Sequence, residues 1–193
     1  MDADSAPTIL RRAALDELGL TKHRFYALVT AGAYEQIAPG IYLRPGALDD
    51  TTAGWASIAC RKPSATICLL TALALHDLTD EIPRASDVAL PRGERVLSVG
   101  YAPVRWHSFD KATFDVGRDR RELVDGIAIG IYSAERTIVD TYRLRHELGS
   151  DLATEGLKRW LRRRGSKPAD LLTVAQAFPK ALPSLRSALE ILL

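Results

Sequence analysis

The sequence is short of several things that usually announce a function. It has two cysteines, Cys60 and Cys68, among 193 residues. That is too few for a disulfide framework, and both are expected to be reduced and buried. No apolar run approaches the roughly 20 residues a membrane helix needs, so no membrane partner is expected. The first residues, MDADSAPT, are acidic and contain no hydrophobic signal core. A cytoplasmic location is the expectation. An excess of one charge is missing too: 26 Lys and Arg stand against 24 Asp and Glu, for a net charge of +2. Any contact with phosphate must therefore come from local placement of basic side chains, not from bulk charge.

Catalytic signatures are also missing. There is no phosphate-cradling glycine loop with its lysine and no nucleophile elbow. His23, His76, His107 and His146 are scattered, and none stands with Cys60 or Cys68 at ligand spacing. No metal and no cofactor are expected. His76-Asp77 follows an apolar helix and has the outline of a catalytic pair, but reads more simply as a loop histidine beside a capping aspartate. Arg136 and Asp140, four residues apart on a helix, read as an ion pair. Glu155 with Lys158 has a faint nuclease look without a supporting strand carboxylate. The chain is not expected to be an enzyme; a small nucleic-acid enzyme is the last alternative.

What is present is an ordinary globular composition, 47% hydrophobic and 26% charged, with length for one domain or two small ones. The stretch from Thr8 to Arg44 organises the rest. Ile9, Leu10, Ala13, Ala14 and Leu18 recur at helical spacing, and Gly19 is a helix stop. Thr21 is a suitable N-cap for a second helix over Lys22 to Ala31, stopped by Gly32. Phe25, Leu28 and Val29 form its inner stripe. His23, Ala27 and Thr30 then point outward, with Arg24 and Tyr26 on the shoulders and Lys22 in the first turn. Two β-prone runs follow, Tyr34 to Ile37 and Ile41 to Arg44, around Ala38-Pro39-Gly40, which suits a type II turn. Ile37, Ile41 and Leu43 should face the helices, and Gln36, Pro39, Gly40, Tyr42 and Arg44 should then be able to approach a groove or a phosphate.

This order predicts a winged helix-turn-helix over 1–47, whose recognition helix offers its first residues to base edges and phosphates. The candidate DNA contacts are Thr21, Lys22, His23, Arg24, Tyr26, Thr30, Gln36, Gly40, Tyr42 and Arg44. The same helices and hairpin also occur as a packing unit without DNA, and that alternative stands. The usual winged helix has one more helix in front, and only about seven residues precede this pair.

Residues 48–193 read as a second, larger domain. A helix is expected over Thr52 to Cys60, closed by Pro63, and another over Ala65 to Leu75, capped by Ser64. Strands are expected at Asp87 to Leu90, Val104 to Phe109 and Ile127 to Tyr132, the last being the clearest. Phe114 to Val124 is charged and irregular, with room for a short strand. Ser133 caps a helix, SAERTIVDTYRLRHEL, with Ile138, Val139 and Tyr142 inward. The fold class is α/β or α+β. Ser150 caps a further helix, Asp151 to Arg164, stopped by Gly165. One of its faces carries Leu152, Leu157, Trp160 and Leu161, and the other Lys158, Arg159, Arg162 and Arg163. No acidic residue occurs from Lys158 to Lys167. Basic residues there complement the helix dipole, or they contact phosphate or an acidic partner. Pro168 opens the next helix, with Leu171, Leu172 and Ala175 inward. The last helix carries Leu182, Leu185, Leu189 and Leu192, which complete the core or pair with another copy.

Three segments taken in order, IAPGIYLR, then TICLLTALALHDLTDEIPRASDVALPRG, then YSAERTIVDTYRLRHELG, resemble the AbiEi family. Its members are antitoxins and transcriptional autorepressors of type IV toxin–antitoxin systems. The resemblance runs from about Leu10 to Leu172. It implies that the winged helix binds inverted repeats in its own promoter, as a dimer or as monomers assembling on the DNA. It also implies that the larger domain neutralises a nucleotidyltransferase-like toxin. The missing leading helix departs from the usual family pattern. A toxin inhibitor that never touches DNA is the rival expectation.

Overall fold

A computed structural model describes residues 7–193; the acidic start of the chain lies outside the described residues. The fold is mixed α/β, with a small three-stranded sheet and its helices first, then a five-stranded mixed sheet and carboxy-terminal helices. Packing divides the chain into two compact units, and the division does not fall between 47 and 48. The first takes the described residues up to Ala65, with 97–103 and 121–129; the second takes 66–96, 104–120 and 130–193. No helix among the described residues is long and apolar enough to cross a membrane.

The first unit runs β1 (Ile9–Arg11), a 3-10 turn (Arg12–Ala14), α1 (Lys22–Thr30), β2 (Glu35–Ala38), β3 (Ile41–Leu43) and α2 (Asp50–Arg61). The strands are antiparallel in the order β1-β3-β2, with Ile9 opposite Leu43, Leu10 opposite Tyr42 and Arg11 opposite Ile41. All of β3 is buried, because strand side chains alternate between faces and both faces here are covered. Ile9, Ile41 and Leu43 pack with Ile37 against Ala53 and Ala56 of α2. Leu10 and Tyr42 point the other way, into a cluster with Leu15, Leu20 and Phe25. The helix expected over Ile9 to Leu18 is therefore a strand and a tight turn. Its adjacent apolar residues, Ile9 and Leu10, serve two opposite faces of a sheet, a pattern that mimics helical spacing over so short a run. The leading helix that the sequence lacks has a counterpart from downstream, since α2 covers the face of the sheet opposite α1.

The chain continues with β4 (Thr66–Ile67), α3 (Leu69–Leu75), β5 (Ser86–Pro91), β6 (Val104–Phe109), β7 (Arg118–Val124), β8 (Ile127–Tyr132), α4 (Ala134–Arg143), α5 (Arg145–Leu148), α6 (Ser150–Leu161), α7 (Pro168–Gln176) and α8 (Leu182–Leu192), all in the second unit except 121–124 of β7 and 127–129 of β8, which fall in the first. Strand order is β6-β5-β4-β8-β7; β4 lies antiparallel to β5 and parallel to β8, and β5 is parallel to β6. Three expected elements differ. The helix over Ala65 to Leu75 begins only at Leu69, because Thr66 and Ile67 are taken into the sheet and Leu69 adopts φ 46° at the switch. The irregular stretch before Val124 contains a full strand, β7. The cap of α6 is Gly149, and Ser150 makes no capping bond with its side chain. Ser133 does cap α4, accepting the Arg136 N–H at 3.2 Å. Ile138, Val139 and Tyr142 of α4 sit in the main core with residues of α3, α6, α7 and α8.

Candidate nucleic-acid interface

Helix α1 is set by its start and by one anchor. The Thr21 hydroxyl accepts the Arg24 N–H at 3.3 Å, and Gly32 takes φ 74° just past the end. Phe25 is fully buried, edge-on to Tyr42 at 4.8 Å between ring centroids. Burying such a side chain is worth about 2–3 kcal/mol. With Phe25 fixed inward and Leu28 and Val29 half-buried beside it, the helical period leaves Lys22, His23, Arg24, Tyr26, Ala27 and Thr30 exposed. Thr21 is exposed as well. Five of the expected contacts, Lys22, His23, Arg24, Tyr26 and Thr30, thus share one open helix.

The hairpin is as expected in its turn and different in its display. Gly40 has the positive φ, 74°, that the turn after Pro39 requires. Gln36 is exposed and its Nε2 donates to the Ala38 carbonyl at 3.2 Å, beside an irregularity in the pairing of β2. Gly40 and Arg44 are half-buried. Tyr42 is a correction. It is 8% exposed and lies under Phe25, so it cannot reach a groove. Alternation does turn it away from Ile41 and Leu43, but α1 covers that side of the sheet.

Arg12 is an arginine near this surface that sequence reasoning missed. Its backbone N–H donates to the Gly40 carbonyl at 2.8 Å, and its guanidinium stands 6.0 Å from the centre of the exposed Tyr26 ring. It joins the open side of α1 to the hairpin turn. Reading residues 9–11 as a strand paired with β3 would have placed it there.

The basic helix of the second unit divides. Lys158 and Arg162 are exposed, while Arg159 and Arg163 are half-buried. Arg159 is engaged in an ion pair with Asp80, Nη1 to Oδ1 at 2.8 Å, and with Glu155 at 2.6 Å. Its guanidinium holds the Asp80 carboxyl below the ordinary range. Glu155, read with Lys158 as a faint nuclease pattern, is accordingly a partner of Arg159.

The other polar groups are structural in placement. His76 Nε2 lies 2.7 Å from the Tyr132 carbonyl, and His107 Nε2 lies 2.8 Å from Asp87 Oδ1. Among the described residues no group of three His, Cys, Asp or Glu is placed to hold a metal ion. Arg136 is completely buried. Its Nε donates to Asp140 at 2.9 Å and its Nη1 to the Thr113 and Val116 carbonyls at 2.7 and 2.6 Å. The guanidinium sits 4.2 Å from the Tyr132 ring centre and 4.1 Å from that of Phe178. Arg143 Nε reaches the other Asp140 oxygen at 3.1 Å. Burial pushes the Asp140 carboxyl up, and the two guanidiniums pull against that shift.

No protein-family model matches this chain. No curated protein matches it either. Its fold is similar to the crystal structure of the RV2827C protein from Mycobacterium tuberculosis, with a TM-score of 0.53 and 16% identity, covering 97% of this chain and 78% of that one. At that identity the likeness concerns the fold.

Proposed function

We propose that the first unit is a winged helix-turn-helix that reads promoter DNA, and that the whole chain is an antitoxin of the AbiEi type that represses its own operon. In this reading α1 enters the major groove, and the β2–β3 hairpin lies against the backbone. The second unit neutralises a nucleotidyltransferase-like toxin, and two copies occupy an inverted repeat. The observation that carries the DNA reading is the open side of α1. Lys22, His23, Arg24, Tyr26 and Thr30 are all exposed on a helix locked from behind by Phe25. Among the described residues neither Lys22 nor Arg24 forms an ion pair. The antitoxin assignment rests on the segments IAPGIYLR, TICLLTALALHDLTDEIPRASDVALPRG and YSAERTIVDTYRLRHELG.

The test is fluorescence anisotropy of the full chain with its upstream region and with random duplex, across a salt series. A salt-sensitive preference for the upstream region is expected. Lys22→Ala should weaken binding to both duplexes and lower the salt slope by about one, as removal of a phosphate-binding lysine does. His23→Ala, Tyr26→Ala or Thr30→Ala should change the preference between sequences. No preference in the wild-type chain would end the DNA reading and leave the toxin-inhibitor alternative. Co-expression with the toxin then asks whether Lys22→Ala still protects cells, which the division of labour requires.

A further inference from the structure

Beside the hairpin turn, the first unit has a cleft of about 510 Å³ bordered by Arg11, Arg12, Arg61, Pro39, Gly40 and Cys60. Three arginines line it, and no acidic residue does. Like charges gathered in a concave wall focus their field, because the low-dielectric walls screen them less than open solvent. The three are held in different ways. Arg61 is braced by its own helix, with Nε donating to the Ser57 carbonyl at 3.0 Å and Nη2 to the Ser98 carbonyl at 3.3 Å. Those bonds use two of its nitrogens and leave its charge without a counter-ion. Arg12 is positioned by the backbone bond to Gly40 and by the Tyr26 ring. Arg11 is fixed by its place in β1, opposite Ile41. Arg11 also borders a smaller cavity with Glu17 and Asp125. There the Asp125 carboxylate already accepts the Thr8 and Ile9 N–H groups, the latter at 3.2 Å. Among the described residues no ion pair involves Arg11, Arg12 or Arg61.

One local field opposes an anion here. Arg61 ends α2, and a helix carboxy terminus carries roughly half a negative charge. Three full positive charges outweigh it. The chemistry that matches several guanidinium forks around one cleft is a tetrahedral oxyanion with many acceptor lone pairs. We propose that this cleft is a phosphate-binding site. The phosphate comes either from the backbone of a duplex lying along the hairpin or from a free phosphorylated small molecule. The duplex source rests on the DNA reading above; the site itself does not.

Two arms separate the sources. In the first, inorganic pyrophosphate is titrated into the full chain by calorimetry, and Cys60 is alkylated with and without it. Cys68 is fully buried, so labelling reports Cys60. Burial pushes the Cys60 thiol up, so the reaction is run near pH 8.5, about the ordinary value of a free thiol. For a free-phosphate site, pyrophosphate should bind and slow labelling, while chloride at equal ionic strength should not. The Arg11→Gln/Arg12→Gln double variant should weaken pyrophosphate about tenfold or more, since charge-assisted bidentate bonds are being removed. In the second arm, the same double variant is titrated with the upstream duplex. For a duplex site, affinity should fall, and the salt slope should drop by about one for each phosphate that is no longer neutralised.

Either result supports the site and names its source. Unchanged duplex affinity together with no pyrophosphate binding overturns it. So does pyrophosphate binding that survives the double variant and leaves Cys60 unprotected. If the wild-type chain shows no duplex preference, the DNA reading fails, and the pyrophosphate arm still decides the cleft. Arg11 and Arg12 are exposed, so the double variant keeps its fold, checked by its melting curve. Arg61→Met, which gives up bonds to Ser57 and Ser98, serves only as confirmation.

Discussion

Two sets of arginines, one in each unit, are used in opposite ways. In the second, Arg136 lies in the core between the Tyr132 and Phe178 rings, with Asp140 as its counter-charge and Arg143 on the far oxygen. In the first, Arg11 and Arg12 stand at the surface on either side of the β1 boundary with no carboxylate partner among the described residues. A buried guanidinium must be matched in place, because its desolvation is uncompensated otherwise. An exposed one is solvated and remains available for an anion from outside. The comparison therefore assigns stability to one set of arginines and binding to the other, and each assignment can be broken by mutation.

The largest effect should follow Asp140→Ala. It leaves Arg136 and Arg143 buried or half-buried without their shared counter-charge, and breaking a buried pair from one side costs about 3–5 kcal/mol. Urea unfolding of the full chain measures it. A loss under about 1 kcal/mol would mean that the carbonyls of Thr113 and Val116 and the two rings hold Arg136 without Asp140. The next effect should be Gly117→Ala. A Cβ there would lie 2.7 Å from the Arg136 Cβ, and the residue has φ 64°. Crowding of this kind costs roughly 1–3 kcal/mol, with backbone strain added. If the variant is as stable as wild type, the packing around the Arg136 stem is looser than its burial implies.

Much of this contrast was legible in the sequence, for identifiable reasons. Arg136 and Asp140 are one helical turn apart, which makes an ion pair the simplest reading, and the structure has that pair at the core. The open side of α1 followed from Phe25, Leu28 and Val29 alone. Helix spacing could not find Arg12, because β1 is three residues long and has both faces covered. Its apolar pair looks the same in a strand as in a helix. Strand β7 was obscured by its charges, Arg118 to Glu122, which are tolerated where a sheet edge faces solvent. The Asp125-Gly126 pair, with φ of 50° and 75°, was the signal that a hairpin joins it to β8. The break between β4 and α3 had no such punctuation, since Leu69 takes its positive φ without glycine.

Smaller effects test the helices that flank the three-stranded sheet. Thr21→Ala removes the cap of α1 and should cost about 1 kcal/mol, with weaker duplex binding if α1 is the reading helix. Asp49→Ala should cost a similar amount through α2, where Asp49 accepts the Thr52 N–H at 3.0 Å. The Thr52 hydroxyl and N–H hold the Asp49 carboxyl below its ordinary value. A depressed carboxyl stabilises the fold fully above its unfolded value, about 3.9, and that contribution disappears as pH falls through its folded value. The difference in stability between wild type and Asp49→Asn should therefore be constant from neutral pH down to about 5 and shrink below 4. A difference that stays constant through the acid range would show that the carboxylate is not the capping group.

The smallest expected effect is the sharpest test of the comparison. Arg11→Gln should change stability by no more than about 0.5 kcal/mol, the usual range for exposed sites, and Arg12→Gln by no more than about 1 kcal/mol. Among the described residues the Arg12 side chain has one interaction to give up, its guanidinium at 6.0 Å from the Tyr26 ring, and at an exposed site such an interaction is worth about 0.5–1 kcal/mol at most. Its bond to Gly40 is made by the backbone and survives substitution. Stability and binding should then separate cleanly. Both variants should unfold like wild type and still bind phosphate more weakly, in a duplex or free. If Arg12→Gln instead unfolds as easily as Asp140→Ala, Arg12 is part of the scaffold joining α1 to the hairpin, and its charge is structural in the first unit as it is in the second.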